Sequence, residues 1–369
     1  MAAKPVSHDD IQTYRDAVAR HGGNKAAAAR ELGLPISTLK SRLASDTLTP
    51  PDGFRIKGTS TLYDAVTGEA KLQWIKTDAD KQQQEEALRE AIRGFAEEQP
   101  KAKPTQPPRA VNGDLLAVYP VGDHHLGMLA WHEETGADYD LSIGERLLCS
   151  ATDYLVSAAP ATETALIAVL GDFLHYDSYE SVTPASKHQL DSDSRYPKMV
   201  RVAFRCLRYM VKAAKRKHAK VHLIVELGNH DPSSAVMLRE AMAIIFQEDP
   251  AVTVDTSPSH YHYYRFGKNL VGTHHGHEAK PDKLPLIMAS DRAADWGQTE
   301  HRLWLTGHIH HKAIQDYNGC TVESLRVLPP ADAWAHNAGY RSTRGMHVIV
   351  LHKEHGEGSR LTVRPEMLS

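Results

Sequence analysis

Cysteine is scarce. Its three residues, Cys149, Cys206 and Cys320, stand far apart and form no CxxC pair. That spacing argues against a disulfide framework and against a thiolate zinc finger, and sets the expectation of a reducing, cytoplasmic setting. Long hydrophobic runs are missing as well. No apolar stretch approaches the ~18–20 residues of a membrane span, so no membrane partner is expected. The opening MAAKPVSHDD has no apolar core behind its lysine, which speaks against a secretory signal. Neither sign of charge dominates: the net charge is -3, and any grip on nucleic acid must come from local basic patches.

Histidine, by contrast, is abundant. There are 23, and only His8 and His21 precede residue 110. Imidazole is the commonest neutral metal ligand, so this bias points to a metal site beyond that residue. The length of 369 residues suits two or three domains.

Residues 7–45 read as three short helices. Ser7 followed by Asp9 and Asp10 suggests a capped start, Ile11, Tyr14 and Val18 recur at helical spacing, and Gly22-Gly23 stops the first helix. Asn24 is placed to cap a second helix over Lys25 to Leu32. Gly33 and Pro35 end it, and Ser37 is expected to cap a third carrying Leu39 and Leu43. This is the pattern of a helix-turn-helix. The stretch GGNKAAAARELGLPISTLKSRL resembles the Fis-type bacterial helix-turn-helix in the small residues of its first helix, its LG turn and its S-T-L opening. The resemblance implies DNA as partner, with Ser37, Thr38, Lys40, Ser41 and Arg42 presented to the major groove. A small protein-interaction module is the plainer alternative. The segment's charge is only weakly positive, so dimerisation or a second contact surface is expected to assist.

The chain is therefore divided into residues 1–48, a DNA-binding unit; 49–110, a connecting region; and 111–369, a third domain. Within the connector, 50–77 suggests a β-hairpin around Thr67-Gly68, 78–98 a polar helix with a seam of Leu88, Ile92 and Phe95, and 99–110 a proline-rich linker. From Leu115 onward, short apolar runs alternate with amphipathic stretches, which indicates an α/β class. Strands are expected at 115–121, 164–170, 221–227, 261–266, 269–274, 302–306 and 345–351, and helices at 142–158, 198–218, 233–247 and 283–294.

Five polar clusters fall where those strands end: GDHHLG, GDFLH, GNHD, THHGH and TGHIH. Ligands at the carboxyl ends of neighbouring strands converge on one crevice. Two divalent ions ~3.5–4 Å apart require a bridging carboxylate, imidazole and oxygen donors, and open positions for water and phosphate. These clusters supply such donors, which suit Mn²⁺, with Fe or Zn as alternatives.

In order, D-x-H, GD, GNHD, a histidine after a strand and GHxH resemble the signature of calcineurin-like metallophosphoesterases, over roughly residues 111–352. The resemblance implies a sandwich of two β-sheets flanked by helices. It implies one metal on Asp123, His125, Asp172 and His310, and a second on the shared Asp172 with Asn229, His275 and His308. His277 competes with His275 for its place. His230 would act near the leaving group with Asp231 orienting it, and His175 would be a phosphate contact or a supporting group. His124 is expected to be structural, and His260, His262 and His311 to be surface or strand residues. The mechanism so implied is in-line attack on phosphorus by a hydroxide held between the metals.

Three features lean toward a DNA phosphodiester as substrate. One is the helix-turn-helix. Another is the 198–218 helix, with Arg201, Arg205, Arg208, Lys212 and Lys215 on one face and no acidic residue from Lys198 to Lys220. The third is the segment 176–197, whose His188, Asp191, Asp193 and Arg195 could meet a substrate, or else form a contact in a homo-oligomer. The combination resembles phage- and prophage-encoded metallophosphoesterases with an N-terminal helix-turn-helix, and the catalytic motifs resemble the superfamily's DNA-repair nucleases. A small-molecule phosphatase or cyclic-nucleotide diesterase tethered to DNA, and a non-enzymatic DNA-binding regulator, are the rival readings.

Overall fold

The computed structural model describes residues 8–45, 54–63, 70–79, 101–108 and 110–368. The chain divides into two compact units, residues 1–88 and 89–369.

The first unit opens with helices α1 (His8–Arg20), α2 (Lys25–Glu31) and α3 (Ile36–Ser45). They close over Tyr14 and Leu39, with Ala17, Ala28 and Ala29 as the small residues that let short helices approach. Asn24 caps α2 as expected, accepting from the Ala26 and Ala27 amides at 3.1 Å each. Ser37 does not cap α3. The Pro35 carbonyl already accepts the Leu39 amide at 3.1 Å, so the helix begins at Ile36, two residues earlier than a Ser37 cap would start it, and Ser37 lies in its first turn. Ser7 and the Thr67-Gly68 turn lie outside the described residues. Strands β1 (Phe54–Tyr63) and β2 (Ala70–Ala79) pair antiparallel. β2 therefore takes the first two residues of the helix expected over 78–98, and the rest of that stretch is outside the described residues.

The second unit is mixed α/β, with two sheets and flanking helices. Its larger sheet contains β3 (Asn112–Val121), β4 (Thr162–Val169), β5 (Lys220–Val225), β6 (Val252–Val254), β12 (Met346–His352) and β13 (Gly356–Val363), in the order β13-β12-β3-β4-β5-β6. Its smaller sheet has β7 (His262–Phe266), β8 (Asn269–His274), β9 (His301–Thr306), β10 (Ala313–Tyr317) and β11 (Cys320–Ser324), in the order β10-β11-β9-β8-β7. The two-residue period of each strand sorts its side chains into layers. Ala117, Tyr119, Val121, Ile167 and Leu223 pack outward under helices α5 (Leu141–Ala158), α6 (Tyr196–Lys215) and α7 (Pro232–Phe246). Their neighbours Leu116, Val118, Leu166, Ala168 and Ile224 face Val271 and Leu305 of the smaller sheet. Trp304 and Leu270 project from that sheet's far face onto Leu284 and Met288 of α8 (Leu284–Asp291).

The expected strands are all present, within a few residues at their ends. The helix expected at 283–294 is broken at Arg292 into α8 and α9 (Ala293–Gln298). Short α4 (His132–Thr135) and α10 (Ala333–Asn337), and strands β6, β10, β11 and β13, were not expected. The proline-rich stretch read as linker is anchored where its description begins: the Ala102 amide donates to the Ile245 carbonyl at 2.9 Å and the side chain is buried. Among the described residues no helix is long and apolar enough to cross a membrane.

Candidate metal centre

Strands β3, β4 and β5 run parallel, as do β8 and β9, so their carboxyl ends open onto common ground. The backbone that follows them is bent sharply. His125, Asp172, His308 and His310 have φ of 45°, 47°, 70° and 55°, and Lys187 is the one other non-glycine described residue with positive φ. Such conformations are costly for residues with a Cβ and tend to persist where function holds them. Two glycines make room. A Cβ at Gly228 would fall on the Asp172 amide and carboxylate, and one at Gly307 would fall on the Asp123 carboxylate.

Asp123 and Asp172 are both buried. The Asp123 carboxylate accepts from the His308 amide at 2.9 and 3.0 Å and faces His310 Nε2 at 2.9 Å. Asp172 Oδ1 accepts from the His230 amide at 2.8 Å, and its Oδ2 lies 3.2 Å from His275 Nε2 and 4.0 Å from His230 Nε2. His125 Nε2 stands 3.2 Å from His310 Nε2 and its Nδ1 3.2 Å from His175 Nδ1. Asn229 Oδ1 is 2.9 Å from His275 Nε2. His275 directs its other nitrogen, Nδ1, to the Leu170 carbonyl at 2.7 Å, which fixes the ring and leaves Nε2 facing the carboxylates.

The electrostatics follow from this crowding. Burial opposes charge on Asp172, yet the His275, His230 and His125 imidazoles beside it hold its carboxyl well below the usual range. Burial would lower His275 too, but Asp172 and Asp123 outweigh it and raise that imidazole to about 10. His125 moves the other way, well below its ordinary value, through burial and its histidine neighbours. His175, buried, falls to about 3, and its Nε2 has no hydrogen-bond partner.

The donor set fits divalent cations. Among the described residues three groups have ligand atoms within 4.8 Å of one another: Asp123, His125 and His310; Asp172, His275 and His308; and His125, His175 and His230. Buried carboxylates meeting several imidazoles, with one buried ring nitrogen unpartnered, are what a site built for cations leaves when only its side chains are counted. His277 stays out of these groups. Its ring stacks on His274 at 6.2 Å between centroids, and its Nε2 faces Glu278 at 3.8 Å.

Asp231 requires a correction. Its carboxylate does not reach His230 but accepts from the Asp172 and Leu174 amides at 3.1 and 2.9 Å, shaping the turn that carries Asp172. Burial and the charge of Asp172 push the Asp231 carboxyl well above its ordinary value. The group that orients His230 is the His175 carbonyl, 2.8 Å from His230 Nδ1.

A cavity of about 1020 Å³ opens over these residues. His188 and Asp191 of the 176–197 segment line it, while Arg195 stands outside as the residue preceding α6. Asp193 is used structurally, accepting from the Leu141 amide at 3.1 Å. His124 is buried against the Gly144 carbonyl at 3.0 Å. His262 lies buried in β7, while His260 and His311 are exposed.

The basic face of α6 also differs from expectation. Lys215 is buried and paired with Asp249, so it is not available to a phosphate backbone. Arg205 makes a two-pronged contact with Glu145 at 2.7 and 2.8 Å. The countercharges that 198–220 lacks come from α5 and the α7–β6 turn, distant in sequence. Arg201 and Lys212 remain exposed and Arg208 half-buried. In the first unit Ser37 and Lys40 are exposed on α3 and Thr38 is half-buried, while the side chains of Ser41 and Arg42 lie outside the described residues.

Sequence reasoning missed the cavity's outer wall. Residues 329–344 place Trp334, Tyr340 and Arg341 along it. The one signal was a pair of aromatic residues in a stretch otherwise written as loop.

Among curated proteins none matches the chain. Solved structures similar to it include an archaeal phosphodiesterase, at 12% identity over 67% of this chain and 99% of that one, with a TM-score of 0.31. A dimetal phosphatase from Danio rerio is similar at 10% identity over 68% of this chain and 98% of that one, TM-score 0.34. Zinc-complexed Vps29 from Entamoeba histolytica is similar at 11% identity over 67% and 97%, TM-score 0.28. Residues 15–45 match the family model of bacterial regulatory proteins of the Fis family, and this helical segment is similar to a Fis-type helix-turn-helix.

Proposed function

We propose that this chain is a two-metal phosphodiesterase acting on DNA, with residues 1–48 binding duplex, 49–110 connecting, and 111–369 carrying the chemistry. The observation that supports it most is the convergence of two buried carboxylates with His125, His275, His308 and His310 from separate strand ends, four of these six residues in left-handed backbone. In this reading Asp123, His125, Asp172 and His310 hold one ion, and Asp172, Asn229, His275 and His308 hold the other. Manganese suits the mixture of carboxylate, amide oxygen and imidazole, with iron or zinc as alternatives. Bound divalent ions supply Lewis acidity toward phosphoryl oxygens and a nucleophile from water at neutral pH.

The remaining work falls to side chains. His230 donates Nδ1–H to the His175 carbonyl, so Nε2 is the nitrogen that holds or releases a proton toward the departing oxygen. Asp231 keeps the Asp172 turn in place through two amides. The helix-turn-helix favours a DNA phosphodiester over a small phosphate monoester.

The test is a substrate panel. Protein stripped with chelator and reloaded with Mn²⁺ is incubated with plasmid, linear duplex, bis-p-nitrophenyl phosphate and p-nitrophenyl phosphate. DNA and diester hydrolysis that chelator abolishes is the expected result, and Asp172→Asn should lose both metals and all turnover. Hydrolysis of the monoester alone would favour the tethered phosphatase. Inactivity on every substrate with tight DNA binding would leave a regulator.

A further inference from the structure

We propose that Trp334 and Tyr340 form a stacking platform for an unpaired base of single-stranded DNA, seating the adjoining phosphodiester over the metal centre. The inference rests on the phosphodiesterase reading above and adds the form of substrate. Trp334 is 71% exposed and Tyr340 58%, although both line the cavity that holds His230, His308 and His310. Burying a large aromatic side chain stabilises a fold, so two rings left in water beside such a cleft suggest a ligand surface.

The rings are held ready rather than loose. Asp332 caps α10 by accepting the Ala335 amide at 2.7 Å, and the Tyr340 amide returns to the Ala335 carbonyl at 3.0 Å across Gly339, whose φ is 83°. This turn brings the two ring centroids to 5.9 Å with 31° between planes. Arg341 follows directly. Its guanidinium donates to the His336 and Tyr340 carbonyls at 2.9 Å each, which fixes its position without neutralising its charge. Aromatic rings, a fixed cation and a centre of phosphate chemistry in one cavity make up the recognition elements of a nucleotide strand: faces for bases and a positive group for backbone.

The occupant follows from geometry. A base inside a duplex has both faces covered by its neighbours and can offer neither to a ring on the protein without being unstacked. An unpaired base offers a face at no such cost. The platform therefore selects single-stranded or frayed DNA, and does so without reading sequence, because every base has a π-face.

Binding and cleavage together test this. Full-length protein in chelator is titrated with a short oligothymidylate and with an abasic strand of equal length, following tryptophan fluorescence and fluorescence anisotropy of the labelled strand. The oligothymidylate should bind about tenfold tighter than the abasic strand and quench tryptophan emission. Trp334→Ala/Tyr340→Ala should erase that difference and leave abasic binding unchanged. Both residues are exposed, so the variant's thermal unfolding should match the parent's. Equal affinity for the two strands in the parent, or an unchanged preference in the double variant, would overturn the platform. If thymidine 5′-monophosphate alone saturates the quench and displaces the oligomer at equal concentration, the commitment to a strand is overturned. Base-selective binding without Mn²⁺-dependent cleavage would uphold the platform and sink the hydrolase reading. Cleavage without base selectivity would do the reverse.

Discussion

At the scale of single residues, the interior beside the centre stores a pH dependence. Glu226 follows β5 and is wholly buried, accepting a hydrogen bond from the Thr273 hydroxyl with His262 Nε2 at 3.8 Å. Burial pushes its carboxyl from 4.5 up to about 8, against the pull of His262. Between those values the folded chain keeps a proton that the unfolded chain has released. Its favourable contribution is complete below pH 4.5 and is lost as pH climbs to about 8. Glu226→Gln cannot ionise and still accepts from Thr273. Urea unfolding of the two proteins should therefore nearly coincide close to pH 5, and by pH 8.5 the variant should be the more stable by about 4–5 kcal/mol. Parallel stability curves for the two proteins from pH 5 to 8.5 would show that this carboxyl titrates normally. The sequence could not announce Glu226, because its burial depends on a second sheet closing over it. The charged and imidazole groups of the five clusters were legible, since chemistry that needs particular donor atoms leaves them in the chain. Their finer roles were not, as Asp231 shows: which amide a carboxylate reaches is decided by the turn, not by the motif.

At the scale of elements, α6 shows where periodicity stops being informative. Its apolar face, Val202, Leu207, Met210 and Ala214, is readable from spacing, and all four are buried against the larger sheet. The basic positions could not be sorted from the helix alone, because their partners are supplied by other elements: Glu145 on α5 for Arg205, Asp249 beyond α7 for Lys215. Of the four strands missed, β6, β10 with its exposed AIQDY and β13 with its glycine-rich start lie at sheet edges, where burial no longer enforces an apolar pattern, while β11 is interior. A buried ion pair is costly to break from one side, since the remaining charge is stranded in the interior. Lys215→Met should accordingly destabilise the protein by about 3–5 kcal/mol, read as a fall in the urea midpoint. Arg201→Ala, at an exposed position on the same helix, should shift it by no more than ~0.5 kcal/mol. A mild effect of Lys215→Met would mean that Asp249 finds water or another partner, and would restore Lys215 as a candidate surface cation.

At the scale of the whole molecule, the Fis-like helical segment and the cluster of buried aspartates and histidines lie in two separate units, and the proposed function assigns DNA recognition to one and phosphoester chemistry to the other. The change from a helical segment to an α/β region was legible, because a helical spacing punctuated by glycine gives way to short apolar runs ending in Asp, Asn and His. The wall bearing Trp334 was not, since α10 is only 5 residues long, too short to show a period. The helix-turn-helix has little net charge to spend on phosphate, so a single cation there carries a measurable share of duplex affinity. Ser37→Ala/Lys40→Ala removes one cation and one hydroxyl from exposed positions of α3 without touching Leu39, on which the three helices pack. Duplex binding should weaken, and the slope of log affinity against log salt should become shallower by about one. Hydrolysis of bis-p-nitrophenyl phosphate by the same preparation should keep its kcat and KM, because that substrate needs only the metal centre. Asp172→Asn should give the mirror image, with duplex affinity intact and turnover gone. A parallel loss of small-diester hydrolysis in the α3 variant would mean that the helical unit helps to build the centre, and the two activities would then have to be explained as one.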